Sequence, residues 1–487
     1  MRHPGLRYAA WALIGCGACA GTPSIGGVAG VAPSPNAVWT PPPAQERIAD
    51  PAVRPPVPPD LEQRISQLTL AEVVDIGLRN NPATRLSWAN ARAAAAAYGS
   101  ERGSYLPTID GEVTGTRLKT VASQGRSAVS QSVLSPGLNI SYLLLDFGGR
   151  SGNVGAARND LIAANFAHNA TIQAVVLQIQ RAHFEYIATR ALLEAQRTTA
   201  REAKTNLAAA EERHRVGVAT IADVLQARTA ASQAELAVET TSGNLQTSRG
   251  ALALALGFPA NIPYDIDTTA GQRPVALLAD SVDVLITRAV EARPDLAAAQ
   301  AEFLAFRSQI SVARANRLPS LTLNGTGGRT YTSSLPRGGN NYSVSLGVRI
   351  PLSAGFSRIY DQRLAVALSE AAGARADALG QQVVFEVFSS YYALQTAARR
   401  VRTTNDLIAS AEQSNEVALA RYRAGVGSVL DLLSAQSALA DARAQQILAR
   451  LEWNTSLAQL ARDAGVLDVR GGSSLRLEPD SAGQTPP

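Results

Sequence analysis

Tyr342-Ser343-Val344-Ser345-Leu346-Gly347-Val348-Arg349-Ile350 alternates residue by residue. Tyr342, Val344, Leu346, Val348 and Ile350 are apolar; Ser343, Ser345, Gly347 and Arg349 are small or polar. A period of two puts these sets on opposite faces of an extended strand. Three more segments share the pattern. Leu138, Ile140, Tyr142 and Leu144 oppose Asn139 and Ser141, with Leu143 and Leu145 blurring the end. Thr108, Asp110, Glu112, Thr114 and Thr116 line one side of another, and Ser320, Thr322, Asn324 and Thr326 one side of the fourth. Each run has about ten residues, the length of a tilted strand that crosses a bilayer. A soluble sheet with one wet face has the same period. Two features favour the membrane: the wet faces carry the hydroxyls, amides and glycines of a water-filled bore, and 119–130 and 331–340 read as long polar loops. Four strands cannot close a barrel, and lipid does not tolerate an open sheet edge. Identical copies must therefore finish the sheet. Two copies supply about eight strands, whose interior side chains fill; three supply about twelve and leave a bore.

Outward from the strands, the chain is one unit written twice. Arg79-Asn80-Asn81-Pro82 echoes Glu291-Ala292-Arg293-Pro294, and Tyr105-Leu106-Pro107-Thr108 echoes Arg317-Leu318-Pro319-Ser320, both 212 residues apart (82 to 294, 107 to 319). Arg213-His214-Arg215-Val216-Gly217 matches Arg421-Tyr422-Arg423-Ala424-Gly425, and Asp223-Val224-Leu225 matches Asp431-Leu432-Leu433, both 208 apart (217 to 425, 223 to 431). Ordered landmarks at a near-constant offset mark a duplication. Each unit reads helix, strand, strand, long helix, glycine turn, helix. The first helices are expected over 69–103 and 281–316, the long ones over 154–214 and 357–423, and the last over 221–256 and 429–464. About 60 residues at 1.5 Å each make a rod of roughly 90 Å. Val384, Val387, Tyr391, Leu394, Ala398, Val401 and Ile408 alternate steps of three and four, broken at Asn405. Val175, Ile179, Ala182, Tyr186 and Leu193 keep the cadence, broken at Thr189. That spacing predicts knobs-into-holes packing, although a solvated bundle without special function has it too.

The 487 residues are 46% hydrophobic and 17% charged, with much of the apolar share alanine, which suits close-packed helices. The net charge of +5 is spread along the chain, and no basic stripe interleaved with aromatics supports nucleic-acid binding. Arg2 and Arg7 followed by the apolar stretch 8–14 read as an export signal over 1–15. Leu13-Ile14-Gly15-Cys16 resembles the bacterial lipobox, which implies cleavage before Cys16 and acylation of its thiol and amine, palmitate included. Gly17 follows, and with no aspartate there the resemblance implies sorting to the outer membrane. A proline-rich tether, 16–60, contains Pro41-Pro42-Pro43, Pro55-Pro56 and Pro58-Pro59. Repeats are expected over 61–270 and 271–466, with a disordered tail over 467–487. Cys19 is the only other cysteine, so the body has no disulfide framework or thiolate metal site. No later apolar segment approaches the ~20 residues of a spanning helix, so a membrane crossing requires strands.

With the duplication, the Leu-Pro before each copy's first strand and the turn Arg421-Tyr422-Arg423-Ala424-Gly425-Val426-Gly427-Ser428-Val429-Leu430-Asp431-Leu432-Leu433, continued by Ala435 and Gln436, the chain resembles the TolC-like outer membrane efflux proteins from 68 to about 465. The resemblance implies a mainly α fold with membrane β: a long coiled-coil helical barrel plus four strands per chain completing a trimeric 12-stranded β-barrel. It implies a homotrimeric, lipid-anchored exit duct of the outer membrane with a periplasmic extension, docked on a periplasmic adaptor and an inner-membrane pump and passing small toxic compounds. Gly217 and Gly425 would make the periplasmic turns, and Arg215, Thr220, Arg423 and Ser428 would meet the adaptor. Asp431 falls at the family's acidic constriction, and Tyr422 where a tyrosine joins the network that holds the tip shut. Ser434 replaces a second acid found in some members, which implies a weaker gate charge. Thr220 with Asp223, and Ser428 with Asp431, also have capping-box spacing. A polypeptide-secretion channel and a pore-free periplasmic scaffold remain alternatives. His3, His168, His183 and His214 show no metal-ligand spacing, His183 reads as packing, and no phosphate loop or nucleophile elbow occurs, so no cofactor and no enzyme are expected.

Overall fold

The computed structural model describes residues 69–119, 130–261, 276–333, 335–353, 355–467 and 475–479, all within the compact unit Asp60–Pro487. Cys16, the signal and the tether lie outside the described residues.

The two copies repeat element for element. The first holds α1 (Leu70–Asn80), α2 (Pro82–Gly103), β1 (Thr108–Lys119), β2 (Ser130–Leu145), α3 (Gly149–Arg215) and α4 (Ile221–Ala255). After the short β3 (Ala276–Leu278), the second holds α5 (Val282–Ala292), α6 (Pro294–Ala315), β4 (Ser320–Thr332), β5 (Leu335–Arg349), α7 (Ser357–Arg423) and α8 (Val429–Asp463). Their helices match in length: 11, 22, 67 and 35 residues in each copy. The expected single first helix is two in both copies. Asn81 and Arg293 are extended, as residues before proline must be, and Pro82 and Pro294 then open new helices.

The copies are interleaved. α3 packs against α4 of its own copy and against α6 and α8 of the other, while α7 packs against α6 and α8. The expected seams hold in their main positions. Val175, Ile179, Tyr186 and Leu193 are buried in α3, and Val387, Leu394, Ala398 and Val401 in α7; Val384 turns outward and Val383 takes its place. Along the hairpins the core is built of small clusters rich in alanine, such as Ala200, Ala203, Ala231 and Ala234, or Ala411 and Ala442 with Leu439. Small side chains let long helices approach closely.

At the other end lies one antiparallel sheet, order β1-β2-β4-β5, so β1 and β5 are open edges. Register assigns the faces. Thr108 pairs with Ser141, Ser141 with Asn324, and Asn324 with Ser345; on the opposite face Gly111 pairs with Leu138, Leu138 with Gly327, and Gly327 with Tyr342. Hydroxyls and amides bond across the wet face: Ser141 Oγ donates to Asn324 at 2.9 Å, and the Thr326 and Ser343 hydroxyls lie 2.8 Å apart. The apolar face stands bare, with Val113, Leu138, Tyr342, Val344 and Val348 all more than half exposed.

Two expectations change. The strands have 12 to 16 residues, and 331–340 is mostly ladder: Thr330 pairs with Gly339 and Thr332 with Leu335 across a bulge. Glycine at 338, at φ +68°, supplies the bend that lets the strands run on. The tail expected over 467–487 is ordered in part, since β6 (Leu477–Pro479) pairs with β3 and Leu475 is buried.

Candidate gate at the helical turns

Each α-hairpin closes through a left-handed glycine. Gly217 has φ +83° and Gly425 φ +77°. At the first turn Gly217 N–H donates to the His214 carbonyl and Val218 N–H to that of Arg213; at the second, Gly425 N–H donates to Tyr422 and Val426 N–H to Arg421. Carbonyls left over at the helix end are satisfied this way, and glycine takes the positive φ at least cost.

The next helix starts in a capping box. Thr220 Oγ1 accepts from Asp223 N–H at 3.2 Å, and Asp223 Oδ2 accepts from Thr220 N–H at 2.8 Å. Ser428 Oγ accepts from Asp431 N–H at 3.1 Å, and Asp431 Oδ2 accepts from Ser428 N–H at 3.3 Å. Capping thus occupies both hydroxyls expected to meet an adaptor. The Ser428 side chain, then its backbone amide, and the charge of Arg421 hold the exposed Asp431 carboxyl below its ordinary value, so it is anionic at neutral pH.

The two turns meet. Arg213 Nη1 donates to the Tyr422 carbonyl at 2.9 Å, and its guanidinium carbon lies 4.5 Å from the centre of the Tyr422 ring. Tyr422 is buried with Val429 and Leu432. Its hydroxyl is buried and has no hydrogen-bond partner among the described residues. Arg215 folds back onto Glu212, while Arg423 is exposed. Tyr422, Arg423, Gly425, Ser428 and Asp431 therefore share one turn, Arg215, Gly217 and Thr220 the other, and Arg213 joins them. Sequence reading passed over Arg213: its register with Arg421 was visible, but its reach across to Tyr422 was not. Also missed were the bare apolar side chains flanking the glycines, Val216, Val218, Ile221, Val426 and Leu430, all more than half exposed.

His183 is buried beside Phe184, and burial lowers its pKa to about 4, so it is neutral packing. Among the described residues no cluster of three metal-ligating side chains occurs, and no helix is long and apolar enough to cross a membrane.

Comparison with known proteins agrees with this layout. Protein CyaE of Bordetella pertussis is 29% identical over 443 residues, covering 88% of this chain and 90% of its own. The solvent efflux pump outer membrane protein SrpC of Pseudomonas putida is 26% identical, covering 84% of this chain and 87% of its own. A crystallised membrane protein of Pseudomonas aeruginosa superimposes with a TM-score of 0.75 at 27% identity, over 85% of this chain and 98% of that one. The family model for outer membrane efflux proteins matches residues 73–258 and 285–466, one segment in each copy of the duplication. Two copies of one helix-and-strand unit, a sheet bare on one face and hydroxylated on the other, and a match over most of both copies make this chain a member of the outer membrane efflux protein family.

Proposed function

We propose that three copies of the chain close one barrel in the outer membrane and act as the passive exit duct of an efflux system. The observation that carries this reading is the sheet. β1 and β5 are unpaired edges, one face is apolar and bare, and the other is lined by hydroxyls and amides. Lipid covers the first face, water fills the bore behind the second, and each β1 edge pairs with a neighbour's β5. The helices extend the bore into the periplasm, and the glycine turns form its far end. There the bare Val216, Val218, Val426 and Leu430 side chains suit a periplasmic adaptor, which would link the duct to an inner-membrane pump. Acylation of Cys16 would tether the N-terminus to the same membrane. Small toxic compounds are the proposed cargo, as the name of the SrpC relative suggests. No catalytic step is assigned, since the chain offers a path and a gate.

The test is direct. Purified in detergent, the protein is expected to run as a trimer and to give discrete single-channel steps in a planar bilayer. A stable monomer that gives no conductance would refute the duct.

A further inference from the structure

Acids on the described part of the sheet keep to one face. Both acids, Asp110 and Glu112, stand on the hydroxyl face, where Glu112 accepts from Asn139 Nδ2 at 2.9 Å and Thr114 Oγ1 at 3.1 Å. On the apolar face, β1 runs Ile109, Gly111, Val113, Gly115 and then Arg117 and Lys119; β4 runs Leu323, Gly325, Gly327 and then Arg329. The apolar run from Tyr342 along β5 to Ile350, just past its end, is eight residue steps, about 26 Å at ~3.3 Å per step. Just beyond its Tyr342 end the face turns basic, and no acid lies on that face among the described residues.

Arg329 is held in place. The Arg329 guanidinium carbon lies 5.5 Å from the Tyr331 ring centre. Gly338, at φ +68°, fits against both: a Cβ there would stand 2.8 Å from the Tyr331 ring and 3.1 Å from Arg329 Nε. A tyrosine at the rim of an apolar band sits where hydrocarbon gives way to headgroups. The hairpin ends lie on the side of the sheet away from the strand–helix junctions.

Resting on the duct reading, which turns this face to lipid and these hairpins outward, we propose that Arg117, Lys119 and Arg329 bind the phosphate groups of the outer-leaflet glycolipid. Guanidinium forks match phosphate oxygens with two parallel hydrogen bonds, and no carboxylate stands on that face among the described residues. Confinement of the cations to the outer end of the lipid-facing side favours a membrane headgroup over a freely diffusing anion.

The test uses the full-length trimer released from detergent in a mass spectrometer. Three lipids are titrated separately: bisphosphorylated lipid A, dephosphorylated lipid A and phosphatidylglycerol. Inorganic pyrophosphate is the free competitor. Wild type is expected to retain bisphosphorylated lipid A at least ~10-fold more tightly than either other lipid, and equimolar pyrophosphate should not displace it. Arg117→Gln/Lys119→Gln/Arg329→Gln should abolish the preference, and Arg349→Gln on the hydroxyl face should keep it. Gly338→Ala, which displaces Tyr331 and Arg329 without removing charge, should weaken it partly. Equal retention of dephosphorylated lipid A or phosphatidylglycerol, displacement by pyrophosphate, or an unaltered preference in the triple variant would overturn the proposal. The duct reading fails separately, by absence of the trimer or of conductance in plain phosphatidylcholine bilayers.

Discussion

The two copies share a backbone plan but differ in how their junctions are held. At the α1–α2 break, neutral Asn81 donates to the Ala255 carbonyl at 3.0 Å and accepts from Ala83 N–H at 2.8 Å. At the matching α5–α6 break, Arg293, only 2% exposed, grips Asp295 and Glu386 at 2.5 Å each, and Arg462 closes on Glu386 at 3.3 Å. The turns diverge similarly. Arg213 of the first reaches across to Tyr422 of the second, whereas the Arg421 carbonyl receives two N–H groups of its own turn, Val426 and Gly427. Duplication thus preserved helix lengths and the capping boxes that open α4 and α8, and divergence built an ionic cluster of Arg293, Asp295, Glu386 and Arg462 within the second copy.

The largest effect should come from breaking the charged junction. Arg293→Met leaves two partly buried carboxylates with Arg462 as the cation, and losing one partner of such a network costs about 3–5 kcal/mol. Asn81→Ala, which removes neutral hydrogen bonds, should cost about 1–2 kcal/mol. Thermal melting of the detergent-solubilised protein compares them; equal losses would show that the charges add nothing. The same junction predicts acid sensitivity. Burial pushes the Asp295 and Glu386 carboxyls up, but the hydrogen bonds and charge of Arg293 outweigh it and hold both below their ordinary 3.8 and 4.5. Groups with lowered folded pKa stabilise above the unfolded value and lose that contribution as pH falls through the folded one. The melting temperature should therefore drop below about pH 4.5, and less so in Glu386→Gln.

Glycines sharpen the comparison next. Gly257 (φ +81°) and Gly217 (φ +83°) are both left-handed, but a Cβ on Gly257 would lie 2.6 Å from the Asn80 carbonyl oxygen, while one on Gly217 meets nothing within 4 Å. Gly217→Ala should cost only the backbone penalty, about 1 kcal/mol. Gly257→Ala adds a backbone clash at the α1–α2 junction and should cost roughly twice that or more. Equal melting shifts would mean that the α4 end does not press on that junction.

Most of this plan was legible in the sequence because it rests on local period. Alternation placed the four strands, the 208-residue offset placed both turns, and Ser428-x-x-Asp431 gave a cap. What stayed hidden depends on distance in the chain. Helical spacing runs across Pro82 as though through one helix, yet proline forces its predecessor out of the helical region. Arg293 looked like a mere echo of Asn81, because its partner Glu386 lies 93 residues away. Arg213 meets Tyr422 across 209 residues. Periodicity carries no information about such pairs.

The capping acids distinguish the turns functionally. Asp223→Ala and Asp431→Ala remove equivalent caps, so both should loosen a helix start. If Asp431 also rings the constriction, only its replacement should raise single-channel conductance. Ser428→Ala, which weakens the cap by about 1 kcal/mol and keeps the charge, should leave conductance near wild type. A rise in all three variants would assign the effect to fraying and remove Asp431 from the gate.

The smallest effect is expected at Tyr422. Its ring lies under Arg213 and its carbonyl takes the guanidinium bond, while its buried hydroxyl has no partner among the described residues. A buried hydroxyl that makes no bond contributes little or destabilises, so Tyr422→Phe should change stability by less than about 0.5 kcal/mol. Arg213→Gln, by contrast, severs the link between the turns and should raise conductance. The alternative is that the hydroxyl finds its acceptor on a neighbouring copy when the tip is shut. Tyr422→Phe would then open the channel as Arg213→Gln does, and the coupling would run between protomers instead of within one.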